Sequence, residues 1–162
     1  MPPPPQPQEQ HCWLQQLVGE WTYVVDAPTA PGAEPHKHEG VERVRAIGEI
    51  WIQGESTADI PGVGRATMQL TLGYDTQKKR FVGTWFGSMM NYLWIYDGEL
   101  DSSGTVLTLN AEGPSMAGEG KMAKYQDIIT IVSPNERILG SQQLQPDGTW
   151  KRFMTATYKR KT

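Results

Sequence analysis

A short stretch near the start of the chain sets its architecture: Leu17-Val18-Gly19-Glu20-Trp21-Thr22-Tyr23-Val24-Val25. Large side chains alternate along it, so that Trp21, Tyr23 and Val25 share one face. This period of two predicts a half-buried strand, and Gly19 allows a close approach of the backbone where the strand begins. A Gly-x-Trp strand followed by many further strands is typical of small closed barrels, so we expect a barrel with an interior.

The rest of the chain predicts further strands separated by turns. Turn signals such as Pro61-Gly62, Asp97-Gly98 and Pro146-Asp147-Gly148 recur at regular spacing, with no helical pattern between them. This spacing favours an antiparallel sandwich or an up-and-down barrel, and the short sequential turns favour the barrel. We therefore predict an all-β, antiparallel up-and-down β-barrel of about ten strands. After the first strand, the predicted strands are 40–47, 49–59, 65–74, 79–87, 90–97, 104–111, 123–132, 136–145 and 150–159.

The N-terminal region predicts a tail and a short helix. Residues 1–8 are mostly proline and glutamine and have little to bury, so we expect a disordered tail, with a segment for a proline-reading partner as the alternative. Trp13, Leu14 and Leu17 repeat at helical spacing and predict a short helix that closes one end of the barrel. Residues 9–162 are then one domain, since a chain of 162 residues suits a single core.

The segment after the first strand, residues 26–38, is rich in proline and predicts an irregular loop. Long irregular loops in compact domains are often functional or mobile. Because this loop follows the first strand directly, we expect it to lie at the barrel mouth and to act as a flap.

Composition and charge exclude several classes of function. The formal net charge of −3 provides no basic surface for nucleic acid or for an anionic membrane, so we expect neither as a partner. Cys12 is alone and can form no intrachain disulfide. No apolar run approaches the roughly 20 residues that span a bilayer. The first residues show no secretory signal, so the expected location is the cytoplasm.

The opening Gly-x-Trp strand, the predicted meander and an arginine in the last strand together resemble the calycin superfamily of lipocalins and fatty-acid-binding proteins. In those families the tryptophan packs at the closed barrel end, and an arginine from a late strand lies across it. The resemblance implies that Trp21 and Arg152 form this pair, through cation–π contact and hydrogen bonds to backbone carbonyls. The segment after the first strand lacks the helical pair of fatty-acid-binding proteins, so their portal is not implied.

A bacterial family, domain of unknown function family 1579, is more similar still. The resemblance covers about residues 14–159. It implies a lipocalin-like barrel with a cavity and assigns no catalytic residues. The motifs that carry it, in order, are Gly19-Glu20-Trp21, Gly48-Glu49-Ile50-Trp51, Gly73-Tyr74-Asp75, Thr84-Trp85 and Pro146-Asp147-Gly148.

The candidate ligand-binding residues cluster around the hairpin that follows Trp85. Their aromatic, thioether, amide and hydroxyl groups form a mixture typical of ligand pockets. Met68 belongs to a methionine-rich set that can adapt to variable apolar ligands or can simply fill a core. We expect the interior to bind a small apolar or amphipathic molecule, with no cofactor. The hairpin candidates are Trp85, Met89, Asn91, Tyr92 and Trp94.

Catalytic and metal-binding groups are sparse. Glu55 and Asp127 are the best candidates for inward-facing carboxylates, which could act as acid or base only if desolvated; a solvated outward position is the alternative. Every histidine precedes residue 39, so no Ser-His-Asp set can be assembled, and we assign no catalytic residue. We expect His36 and His38 to be exposed loop histidines, with a weak metal site as the alternative, and so we expect neither a metal site nor haem. A calycin-type enzyme using a buried carboxylate, or a protein-interaction module, is the alternative to a binding protein.

One predicted hairpin is apolar on both faces, along 81–86 and 93–96. A barrel has one interior, so part of this surface must face outward, and a contiguous apolar patch usually marks an interface. Because symmetric pairing is the commonest solution, we predict a homodimer, with Phe86 or Val82 outside if Trp85 is inside. The alternative is that the N-terminal helix covers the patch with Trp13 and Leu17.

Overall fold

The computed structural model describes residues 1–27, 36–118 and 120–161. It is a closed barrel in which each strand pairs antiparallel with its neighbours in sequence and the first strand pairs with the last. This confirms the predicted all-β up-and-down barrel with a short N-terminal helix. The elements are α1 (Glu9–Gln15), β1 (Gly19–Ala27), β2 (His36–Ile47), β3 (Trp51–Ile60), β4 (Gly64–Asp75), β5 (Arg80–Gly87), β6 (Trp94–Leu100), β7 (Val106–Pro114), β8 (Met122–Ser133), β9 (Glu136–Leu144) and β10 (Trp150–Arg160).

Most strand boundaries differ from the prediction by up to three residues, and the starts of β2 and β6 differ by four. β2 begins at His36, because β1 continues to Ala27 and Ala27 pairs with His36. Both His36 and His38 therefore lie on a strand. β6 begins only at Trp94, because residues 88–93 form the turn between β5 and β6. The flap was predicted over 26–38, and its central part, residues 28–35, lies outside the described residues.

Alternation determines which side chains reach the interior. In β1, Trp21, Tyr23 and Val25 are buried while the residues between them are exposed. β3 follows the same rule, with Ile52 and Ser56 buried on the inward face. Each strand therefore contributes every second side chain to one shared core.

Helix α1 lies across one end of the barrel. Leu14 and Leu17 are buried there against the strands. Trp13 meets Phe81 edge to face at 6.0 Å and donates a hydrogen bond to the Gly104 carbonyl at 2.7 Å. The buried His11 donates to the Tyr74 carbonyl at 3.0 Å. The predicted helix is thus held at the barrel end by both apolar and polar contacts.

No helix among the described residues is long and apolar enough to span a membrane.

The arginine of the last strand that lies over Trp21 is Arg160, 4.3 Å from the ring centroid. Its guanidinium donates to the carbonyls of Gln16, Val18 and Pro134 at 2.8, 2.6 and 3.1 Å. Gly19 makes this contact possible, since a Cβ there would lie 2.3 Å from the Arg160 Nη1 atom.

The assignment of this role to Arg152 was wrong. β10 shifts register against β9 between Arg152 and Met154. Arg152 is consequently exposed, and its Nη2 lies 3.4 Å from the Gln142 side chain instead of near Trp21. The bulge turns Arg152 outward. The pairing of β1 with β10 excludes the contact independently, because it places Arg160 opposite Trp21 and leaves Arg152 farther along the strand, toward the other end of the barrel.

Candidate functional site

A cavity of about 280 Å³ lies inside the barrel. Its volume is just below the range of roughly 300–1,000 Å³ that is usual for small-molecule pockets. Aromatic and thioether side chains form much of its wall at the end of the barrel opposite α1, where β5 ends and β6 begins. These side chains are Trp85, Met89, Met90, Trp94, Phe153 and Met154. The concave patch on the outer surface near Thr22, Glu39 and Arg65 is open to solvent instead.

The aromatic side chains of the wall support one another. The Trp94 ring meets Tyr125 edge to face at 4.9 Å, and Tyr125 meets Phe153 in the same way at 6.1 Å. The indole of Trp94 also donates to the Met90 sulfur at 3.1 Å. Such edge-to-face contacts restrain the rings and leave a shaped apolar surface for a ligand.

A buried carboxylate forms the main polar feature of the cavity. Asp127 lies on β8, and each of its oxygens accepts one hydrogen bond: Oδ1 from the Ser141 hydroxyl at 2.6 Å and Oδ2 from the Tyr96 hydroxyl. Burial raises the pKa of Asp127, and the two hydrogen bonds oppose that rise. Burial and the neighbouring Asp127 charge also hold the pKa of Tyr96 well above its usual range.

An ion pair lies on the inner wall nearer to Trp21. Arg137 donates to Glu42, and the side chains of both residues are at most 6% exposed. The Arg137 guanidinium also lies 3.9 Å from the centroid of the Tyr158 ring and 4.7 Å from that of Trp21. Burial and then the Glu42 charge raise the pKa of Tyr158 well above its usual range. The two charges of the pair neutralise each other inside the barrel.

The two β2 histidines stack against each other at 5.4 Å between ring centroids. His38 lines the cavity, and its Nδ1 atom is buried without a hydrogen-bond partner in the part of the chain that the structure describes. Burial, and then the neighbouring His36, lower the pKa of His38. The expectation of exposed loop histidines was therefore wrong, because both residues lie on β2 and are partly buried. Within the described ranges, no cluster of three or more His, Cys, Asp or Glu is placed to hold a metal ion.

The structure places the sequence-predicted residues on different sides of the barrel wall. Asn91 is exposed in the turn before β6, and Tyr92 donates to the Glu112 carbonyl at 2.7 Å, so neither lines the cavity. The expectation that Glu55 faces inward was wrong, because Ser56 takes the inward position in β3; Glu55 accepts a hydrogen bond from Gln69 on the outer surface. The predicted residues that do line the cavity are Met68, Trp85, Met89, Trp94 and Asp127.

Sequence reasoning missed several polar residues of the interior. Tyr96 follows Trp94 by two positions, so alternation alone was sufficient to place both on one face. Glu42 precedes the buried Val44 by two in the same way. No sequence signal links Ser141 to Asp127, which are partners only because β8 and β9 pair at that register.

Comparison with known proteins gives a family and a fold. The profile of the family described as "Protein of unknown function (DUF1579)" matches residues 6–160. No curated protein matches the sequence. The crystal structure of Rv2717c from M. tuberculosis is similar, with a TM-score of 0.67 and 12% identity over 96% of this chain and 99% of that one. The S-type phycobiliprotein lyase CPES from Guillardia theta has a TM-score of 0.57 and 14% identity, over 96% of this chain and 99% of its own. At these identities the similarity shows the fold alone.

Proposed function

We propose that this chain, which belongs to the DUF1579 family of proteins of unknown function, binds a small amphipathic molecule inside its barrel. The observation that carries the proposal is the composition of the cavity. An aromatic and thioether wall adjoins a few buried polar groups, of which Asp127 and His38 are the clearest. Apolar walls with a small number of placed polar groups are typical of ligand sites.

The two parts of the cavity have different effects on binding. Burying about 200 Å² of apolar ligand surface would contribute roughly 5 kcal/mol before the cost of association. The polar groups add less net energy, but they orient the ligand, because a buried donor or acceptor left unpaired is costly. His38, whose Nδ1 atom has no hydrogen-bond partner among the described residues, is one such group.

Native mass spectrometry of the freshly purified protein tests the proposal directly. We expect a retained small mass, and stabilisation in a thermal-shift screen over fatty acids, aromatic compounds and terpenoids. A protein that retains nothing and responds to no compound would contradict it.

A matched pair of variants shows whether binding occurs inside the barrel. Ala111 is buried on the cavity wall, and its neighbour Glu112 is exposed on the outer surface. Ala111→Leu fills part of the cavity and should reduce retention of the small mass. Glu112→Leu places the same leucine side chain on the outer surface and should leave retention of the small mass unchanged. Equal behaviour of the two variants would place the ligand elsewhere.

A calycin-type enzyme is the second candidate, and Asp127 is the observation that favours it. A buried carboxylate with a raised pKa beside a cavity is suited to act as a general base. Catalysis would appear as a change in mass of a screened compound after incubation with the protein, and Asp127→Asn would abolish that change. If every bound compound is recovered unaltered, the protein is a binder only.

A further inference from the structure

We propose that the ligand of this cavity carries a cationic, hydrogen-donating head group, such as an alkylammonium, attached to an aromatic or other apolar body. The inference rests on the proposed function and specifies the chemistry of the molecule bound. It follows from the charges that line the cavity and from the way in which Asp127 is hydrogen-bonded.

The described cavity wall carries one carboxylate without a cation to balance it. Arg137 is the only arginine or lysine among the described lining residues, and it is paired with Glu42. His38 does not supply the missing charge, since burial holds its pKa below the ordinary value. Asp127 is contacted by the neutral hydroxyls of Tyr96 and Ser141 instead. Ionised Asp127 therefore leaves the interior with a net negative charge.

The hydrogen bonds around Asp127 fit its ionised form. Both hydroxyls donate to the carboxylate, one to each oxygen. Hydrogen bonds donated to a carboxylate stabilise its charged form, and these two oppose the rise in the pKa of Asp127 that burial causes. An ionised carboxylate has about four acceptor positions, so two donors leave room for more.

Asp127 is enclosed by the barrel but lines its cavity. It lies between Tyr125 and Ile129 on the inward face of β8 and keeps more accessible surface than either of them. Because the side chain points into the barrel, the surface that it keeps belongs to the cavity wall. A ligand N–H group can therefore approach the carboxylate from inside.

The aromatic wall adds a second preference for a cation. The π faces of tryptophan and tyrosine rings attract ammonium groups, and the attraction is stronger where water is excluded. Trp85, Trp94 and Tyr125 line the same cavity as Asp127. An anionic head group would meet both the carboxylate and the negative ring faces, and its desolvation would be uncompensated.

Three probes with one indole body and different head groups test the proposal by calorimetry on the full chain. They are tryptamine, which is cationic, tryptophol, which is neutral, and indole-3-propionate, which is anionic. Wild-type protein should bind tryptamine at least about tenfold more tightly than either of the others. Asp127→Asn should remove that preference. Glu55→Gln, which neutralises an exposed carboxylate on the outer surface, should preserve it.

Several results would overturn the proposal. Equal or tighter binding of tryptophol or indole-3-propionate by the wild type would show that Asp127 does not select a cation. A tryptamine preference that survives in Asp127→Asn would place the cation elsewhere. If Asp127→Asn does not fold, Asp127→Ser provides the same comparison, because it also removes the charge. The comparison of probes on the wild type needs no variant.

Failure of this inference can be separated from failure of the proposed function. If the neutral or anionic indole binds and Ala111→Leu weakens that binding, the cavity is a ligand site with a different chemistry. If no indole binds and native mass spectrometry also finds no retained mass, both proposals fail together.

Discussion

Asp127 is a charged group in a place where the described barrel offers it no cation. Its two hydroxyl partners stabilise the carboxylate, but they do not neutralise it. A buried charge of this kind usually lowers stability, and binding sites often retain such groups because the ligand supplies the missing interaction. The ligand proposed above would supply that interaction to Asp127.

At pH 7, the ligand-free Asp127→Asn variant should be at least as stable as the ligand-free wild type. Burial raises the pKa of Asp127 in the folded state. The folded protein therefore holds the proton more tightly than the unfolded chain, and this stabilisation is full below the ordinary carboxyl pKa of about 3.9. It is lost as the pH rises through the raised folded pKa. Thermal melts of both proteins from pH 4 to 8 should show this loss only in the wild type; a variant that is clearly less stable at pH 7 would contradict the argument.

Arg160 and Arg152 provide a matched test of the barrel-end pair. Arg160→Met removes hydrogen bonds to three carbonyls and the contact with Trp21, and should lower the free energy of unfolding by about 2–4 kcal/mol. Arg152→Met changes an exposed side chain and should cost less than about 0.5 kcal/mol. Urea denaturation measures both. Equal losses would mean that Arg160 does not close the barrel end.

The helix α1 is too short to be stable alone and depends on its packing against the strands. It has 7 residues, well below the roughly 12–15 that an isolated helix needs. Its buried face covers the barrel end, while Cys12 is exposed on its other side. The helix therefore closes the barrel end, and its contribution to the free energy of unfolding depends on a few buried side chains.

Leu14 is the side chain that should matter most for this helix. It is fully buried, so Leu14→Ala should lower the free energy of unfolding by about 2–4 kcal/mol through lost burial and the cavity left behind. Cys12→Ala, on the exposed face of the same helix, should change it by less than about 0.5 kcal/mol. Denaturation midpoints of the two variants give the comparison. A small effect at Leu14 would show that the barrel end is stable without the helix.

The outer surface of β5 and β6 carries an apolar patch formed by Phe86, Leu93 and Ile95, which are 48%, 50% and 65% exposed. Helix α1 does not cover it, because Trp13 packs on the inward-facing Phe81 at the barrel end. The homodimer predicted through this hairpin stays a prediction. The patch is also the surface that a protein-interaction module would use.

Sedimentation at micromolar concentration tests the homodimer. We expect a dimer for the wild type and a monomer for Ile95→Lys, because a charge at the centre of a symmetric interface is repeated across it. Val24→Lys is the control, since Val24 is an exposed valine of β1, which does not pair with β5 or β6. A wild-type monomer, or a dimer that survives Ile95→Lys, would exclude this interface.

Local patterns in the sequence were sufficient to predict the fold. Alternation from Trp21 to Val25 identifies the inward face of β1, and turn residues such as Pro61-Gly62 and Pro146-Asp147-Gly148 lie between the later strands. The turn predicted at Asp97-Gly98 was wrong, because both residues lie inside β6 and pair with β5 and β7. Both signals depend on neighbouring residues, and so they are readable without the fold. Trp85 and Trp94, which were predicted to bind a ligand in the interior, do line the cavity.

The polar arrangement of the site was decided by tertiary structure. Tyr96, Asp127 and Ser141 come from three strands, and they meet only because the barrel closes with a particular stagger between its strands. One bulge in β10 turned Arg152 outward, and a difference of one residue in β3 placed Ser56 rather than Glu55 inside. Side chains in a strand alternate with a period of two, so an error of a single residue moves a side chain to the opposite face. The register that settles such positions arises from pairing between distant segments, which local sequence patterns do not encode.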